Sequence, residues 1–170
     1  QDRHWNIVKV LNQYSFGDYK KILAEEKSRD ASDRGAKSAL AAEVSQPNIE
    51  VKKQFWQKIA QGPTPEMPLA RLRPLISNIF PNDQNGLQAE FRQDFYTSLR
   101  DLGGKPGEFL AYFANMAPAF CATDSVNELK DFASKNKDLS PGVRKRLKIQ
   151  AQESERCVGI RAKATETKLM

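Results

Sequence analysis

The chain has a single histidine, His4, two cysteines, Cys121 and Cys157, and no long apolar run. Each scarcity closes off a class of function. A zinc helix of the H-E-x-x-H type needs two histidines four residues apart on one face. A histidine-dependent nucleophilic triad would have to use His4, beside Trp5 at the extreme start. The cysteines stand too far apart for a CxxC redox or zinc motif. No stretch approaches the roughly 18–20 apolar residues that a membrane span needs. The phosphate-cradling pattern G-x-x-x-x-G-K-[ST] fails at Gly104-Lys105, because Pro106 follows and Leu99 stands in place of the first glycine. Asp30-Ala31-Ser32-Asp33-Arg34-Gly35 has the outline of a calcium loop, but Arg34 occupies a ligand position and Ala41 stands where a bidentate glutamate is required. Carboxylate pairs such as Glu25/Glu26 and Glu153/Glu155 are one or two residues apart, so their members point different ways on a helix. Taken on its residues alone, the chain carries no catalytic group and no metal or cofactor site.

What is present is helical patterning in almost every segment. Nine helices are expected, with no period-2 run between hairpin turns. The first runs over 3–14 with Trp5, Val8 and Leu11 inward, and the second, capped by Asp18, carries Tyr19, Ile22 and Leu23. Asp30 to Asp33 ends that helix and caps a third, with Ala36, Ala39, Leu40 and Val44. Pro47 stops the third, and Asn48 caps a fourth with Val51, Phe55, Trp56 and Ile59 on its buried side. The segment 62–68, dense in proline, is a loop. A fifth helix carries Leu69, Leu72, Leu75, Ile76, Ile79 and Phe80, with Pro74 inside it. The sixth carries Leu87, Phe91, Phe95, Leu99 and Leu102 and ends at Gly103-Gly104. The seventh carries Phe109, Leu110, Phe113, Met116 and Phe120, and a short eighth, capped by Thr123, carries Val126, Leu129 and Phe132. Helices of this length joined by short loops make antiparallel neighbours, and the expected architecture is all-α, with helix pairs layered into an armadillo- or HEAT-like superhelix. At 170 residues, one domain is the default expectation.

The ninth helix, over about 140–163, organises the rest. Ser140 caps it and Pro141 takes its first position. One stripe runs Val143, Leu147, Ala151, Ser154, Cys157, Val158, Arg161 at about 100° per residue. A second line, Ile149, Glu153, Arg156, Ile160, sets two charges between isoleucines. Arg156 there is a candidate holder of a peptide carboxylate, since the planar guanidinium fork matches that group; the competing reading is an ion pair with Glu153. Arg161 either contacts substrate or snorkels toward helix-end carbonyls. Arg71 and Arg73, beside the proline-rich loop, are weaker candidates.

The net charge of +6 arises from 27 basic and 21 acidic residues, well mixed. The densest basic run is Arg144-Lys145-Arg146-Leu147-Lys148, in the opening turns of the last helix, where positive charge opposes the helix dipole. It reads as a solvated face or as a contact to an acidic surface, with Arg144, Arg146 and Lys148 the interdomain candidates. Basic residues interleaved with aromatics, as nucleic-acid binders carry them, are not found, so no nucleic-acid partner is expected. For Cys121 and Cys157 two readings stand: buried free thiols, or a disulfide tying the last helix to the preceding loop in a secreted or periplasmic protein. The start, Gln1-Asp2-Arg3-His4-Trp5, has neither a methionine nor a signal peptide, and the chain is expected to be a piece of a longer polypeptide whose compartment, cytoplasmic or exported, is not legible here.

Several stretches in order carry a family likeness: Arg3-His4-Trp5-Asn6-Ile7-Val8 with Leu11; Asp30 to Gly35, then an alanine-rich helix and Gln46-Pro47; Val51-Lys52 and Trp56; Pro68-Leu69, Phe80-Pro81, Gln84, Phe91 and Phe95-Tyr96; and Ser140-Pro141, Arg144, Glu153-Ser154-Glu155-Arg156-Cys157-Val158 and Arg161. Over Arg3 to Ala162 the series resembles the C-terminal helical domain of zinc aminopeptidases of the aminopeptidase N and puromycin-sensitive class. The resemblance implies a catalytic domain upstream with the zinc helix and a G-x-M-E-N motif, neither of which is in this chain. It also implies a helical domain that closes over the active site and helps to select peptides. The expected partners are then that catalytic domain, which holds the zinc, and peptide substrates. The alternative is a stand-alone helical scaffold that binds an acidic protein.

Overall fold

A computed structural model describes residues 2–103 and 105–168, with side chains through Thr165. Gln1, and Gly104 in the loop expected to end the sixth helix, lie outside the described residues. The chain is all-α. Among the described residues there are ten α-helices, one 3-10 turn and no strand. It divides into two compact units, Gln1–Gln88 and Ala89–Met170.

The first unit contains α1 (Asp2–Gln13), α2 (Tyr19–Arg29), α3 (Asp33–Val44), α4 (Ile49–Ala60) and α5 (Leu69–Asn78). Helix α3 packs between α1 and α5, and α2 lies against both α1 and α3. The alanines at 39 and 42, both buried, allow α3 its close approaches. Trp5, Val8 and Leu23 complete that part of the core, while Leu72, Leu75, Ile76 and Ile79 of α5 and the following turn are likewise buried.

Two polar junctions set how these helices meet. At one end the buried carboxylate of Asp30 accepts the Trp5 indole N–H at 2.8 Å, the Ser32 hydroxyl at 2.6 Å and the Ser32 amide at 3.2 Å. The Ser32 hydroxyl oxygen in turn accepts the Gly35 amide at 3.0 Å, capping α3. Asp2 and Arg34 pair nearby at 2.6 Å. At the other end the buried Gln84 donates to the Ser45 carbonyl at 2.8 Å and to the Gln13 carbonyl at 3.3 Å. The starts of α1 and α3 are therefore joined to each other, and so are their ends. The two helices run parallel, with α2 as the return between them. Lys52 of α4 is fully buried and donates to the carbonyl of Val44, the last residue of α3, at 2.7 Å. Burial pushes its ammonium down to about 7, with Asp83 opposing the shift.

The other side of α1 carries exposed apolar residues beside Arg3 and Asn6. Ile7 and Val10, with Tyr14 just past the helix end, lie opposite Trp5, Val8 and Asn12, and each is about half exposed or more; Phe16 follows at 70%.

The second unit contains α7 (Arg92–Asp101), α8 (Gly107–Phe113), a 3-10 turn (Ala114–Met116), α9 (Thr123–Lys135) and α10 (Pro141–Lys168); the short α6 (Asn85–Glu90) leads into it from the first. Its core is aromatic. Phe95 stacks on Phe113 at 5.5 Å between centroids, and Tyr96 lies 4.6 Å from Phe132.

Several boundaries differ from the sequence expectation. The expected sixth helix is two, broken at Phe91, whose φ −92° and ψ 8° leave the helical region. A four-residue apolar spacing survives one irregular residue, so the pattern does not register the break. The seventh helix ends at Met116 rather than reaching Phe120, because Pro118 drives Ala117 into an extended conformation. Asp18 sits at the start of α2 but makes no capping bond, its backbone not being extended. Ala122, not Thr123, holds the cap position of α9. Asn48 caps α4 as expected, and within the expected capping stretch Asp30 to Asp33 the residue that caps α3 is Ser32. In α3, Ala36 is exposed.

Two outcomes follow. A Cβ at position 35 would lie 2.3 Å from the Asp30 carbonyl oxygen. Gly35→Ala is expected to lower stability by about 1–3 kcal/mol or more in urea unfolding, whereas Gly86→Ala, with nothing within 4 Å, is expected to be neutral or slightly stabilising. For Lys52, the unfolded chain keeps its proton up to about 10.5 while the folded chain releases it near 7. Folding stability is then expected to rise with pH between those values, by at most about 1.4 kcal/mol per pH unit, and to be flat on this account below them. Urea midpoints measured from pH 7 to pH 9 should climb in the wild type and level off in Lys52→Met.

Candidate functional site

Helices α9 and α10 form an antiparallel hairpin through the short turn at 136–140. Val126, Leu129 and Ala133 of α9 face Val143, Leu147, Ala151 and Ser154 of α10, and all are buried. The α10 spacing of four, four and three is that of one helical face. Ser140 accepts the Val143 amide at 3.4 Å at the helix start.

An open cleft of about 780 Å³ runs along this hairpin. Its floor is apolar, from Leu129, Ala133, Leu147 and Ala151. Its rim is basic: Lys130 and Lys137 from the α9 side, and Arg144, Lys145 and Lys148 from α10. No carboxylate is among its lining residues. Lys130 is engaged by the Glu155 carboxylate, both of whose oxygens lie at 2.9 Å. The Arg144 Nε is buried and has no hydrogen-bond partner among the described residues. The structure thus separates the basic run: Arg144, Lys145 and Lys148 line the cleft, and Arg146 does not. Lys130 and Lys137 were not singled out from sequence. Lys130 lies on α9 and Lys137 in the turn after it, and they share a cleft only because α10 lies alongside.

Beyond the cleft, the segment 117–122 is tied down from several directions. Cys121 and Cys157 form a disulfide, with Cα atoms 5.3 Å apart. The Ser154 hydroxyl donates to the Phe120 carbonyl and the Ser125 hydroxyl to the Pro118 carbonyl; the Ser125 oxygen accepts the Phe120 amide at 3.0 Å. The Arg92 guanidinium covers the Phe120 ring at 5.4 Å and lies 3.6 Å from Asp124 and 3.5 Å from Glu128. Of the two readings of the cysteines, the bonded one describes the structure.

The substrate candidates are placed on the outside of α10. Arg156 and Glu153 pair with each other at 3.7 Å and are 72% and 63% exposed. Arg161 is exposed, as is Ile160, so the isoleucine frame around Arg156 is open on that side. In the first unit Arg71 is exposed and Arg73 half-buried. A separate hollow of about 400 Å³ in the second unit is lined by Tyr96, Arg100, Glu128 and Lys135. Tyr96 is buried and its hydroxyl has no hydrogen-bond partner among the described residues. Burial, with Glu128 adding to it and Arg92 opposing, pushes the phenol above its ordinary range. Among the described residues no group of three or more His, Cys, Asp or Glu side chains is placed to hold a metal ion, and no helix is long and apolar enough to cross a membrane.

No protein-family model matches the chain, and no curated protein matches it.

The disulfide closes a loop of 36 residues' separation. Replacing it with Cys121→Ser and Cys157→Ser is expected to cost about 2–4 kcal/mol. The same loss should appear in the wild type when its thermal unfolding is followed with a reductant present, and no further loss in the double variant.

Proposed function

We propose that the chain is a non-catalytic helical domain of a zinc-dependent aminopeptidase, closing the substrate chamber of a catalytic domain carried elsewhere in the same polypeptide. The ordered residue series from Arg3 to Ala162 supports the family, and the all-α layout of packed helix pairs agrees with it. The observation that carries the reading furthest is the outer side of α1. In a layered helical array the terminal layer needs a polar outer face. The outer face here presents Ile7, Val10 and Tyr14 instead, at the spacing of a helix-packing ridge. Such a face suits a preceding helical layer. The Cys121–Cys157 bond supports an oxidising compartment.

Arg156 is the residue to engage a peptide. Its pairing with Glu153 is exposed, and exposed pairs are worth about 0–1 kcal/mol, so exchange for a substrate carboxylate costs little. Zinc belongs to the absent catalytic domain; the role of this chain is to exclude water and limit peptide length.

The test is peptide hydrolysis by the natural polypeptide that contains these residues. It is expected to release N-terminal residues and to lose that activity to a zinc chelator. Arg156→Gln is expected to raise KM for long peptides about tenfold, the order of one charge-assisted hydrogen bond, while sparing substrates too short to reach it. Absent or chelator-insensitive hydrolysis overturns the reading. The second reading, a free-standing scaffold for an acidic protein, is favoured by the basic cleft of α9 and α10. A reading frame that opens near Gln1 would support it, and one with paired histidines on an upstream helix would support the peptidase.

A further inference from the structure

We propose that the cleft between α9 and α10 is a docking site for an acidic amphipathic helix of a partner protein. The inference stands on the cleft itself and holds under either reading of the chain.

Charge comes first. Lys137, Arg144, Lys145 and Lys148 border the cleft, and none has a carboxylate within 4 Å among the described residues. Three of these four lie in about the first two turns of α10. Arg144 stands in the first turn itself, where the helix N-terminus already carries partial positive charge and an added cation costs several tenths of a kcal/mol. An anionic partner reverses the sign of that contribution. Arg144 is half-buried in the cleft wall, and its Nε makes no hydrogen bond among the described residues.

The floor decides the kind of anion. Ala133 and the methylene stems of the rim lysines give the cleft apolar surface above the buried Leu129 and Leu147. A free inorganic anion gains nothing from such a floor. A helix with carboxylates at its edges and leucine-sized side chains beneath them meets both parts, the usual arrangement when an amphipathic helix lies in a groove. Nucleic acid fits less well: no aromatic side chain lines the cleft, so unpaired bases find no stacking platform. A cleft of about 780 Å³ takes several side chains, not a duplex.

The division of the basic run supplies an internal control. Arg146 lies on the same two turns of α10 and carries the same charge, but it does not line the cleft. The experiment uses the whole chain and a fluorescent helical peptide with glutamates along its edges and leucines between them, followed by anisotropy at low and physiological salt. Lys145→Gln with Lys148→Gln is expected to weaken binding about three- to tenfold. Arg146→Gln is expected to leave it unchanged. Circular dichroism checks that each variant keeps its helix content. Absence of binding overturns the proposal, as does equal weakening by Arg146→Gln, which would make the effect one of bulk charge. A peptide with its leucines replaced by serines that binds as tightly rules out the amphipathic partner. A single-stranded oligonucleotide that binds more tightly than the peptide, and is weakened by the same pair of substitutions, transfers the cleft to nucleic acid.

Discussion

A helix of ten or twelve residues is marginal in water, so nothing in the first unit stands without its neighbours. Apolar stripes bring such helices together but leave them free to slide and roll. The Asp30 carboxylate removes that freedom. It is buried, it must be satisfied, and its partners come from α1 and from the turn that starts α3. Because the Ser32 hydroxyl that donates to Asp30 also receives the Gly35 amide, the cap of one helix and the docking of another are a single bonded system. Gln84 performs the complementary task at the far ends of α1 and α3.

The second unit is held differently. Its centre is a set of stacked and tilted rings, which pack densely without polar specification. Position is fixed at its periphery instead, where two serine hydroxyls and one disulfide fasten the segment 117–122 to α9 and α10. That fastening anchors α10 near its middle. The turns before Cys157 bury a continuous stripe, whereas 159–165 bury nothing. The cleft lies along the buried half, between α9 and α10.

Much of this was legible in the sequence. Helix identity followed from the periodicity of residues such as Phe95 and Leu99, or Val143 and Leu147, and the cap at Asn48 from its side-chain chemistry, whereas the choice of Ser32 within the stretch Asp30 to Asp33 came only with the structure. What was not legible involves partners distant along the chain. Nothing local marks Lys52 as buried: it looks like any lysine between Val51 and Lys53, and only the approach of the end of α3 gives it an acceptor. Gln84 is similar, its two acceptors lying 39 and 71 residues away. Of the candidate site, the basic residues of α10 were visible as a run, but which of them share a cleft with Lys137 depends on the rotation of α10 against α9. The ion-pair reading of Arg156 with Glu153 required only a spacing of three, and that is how the two are found.

The near-contact at Gly35 reaches beyond this one molecule. Where overall similarity between chains has faded, a handful of positions bound by mutual necessity remains the best search handle. Here an indole, a carboxylate, a hydroxyl and a residue with no side chain, at 5, 30, 32 and 35, must be kept as a set or exchanged as a set. Their spacing is a compact signature with which to look for distant kin of this fold.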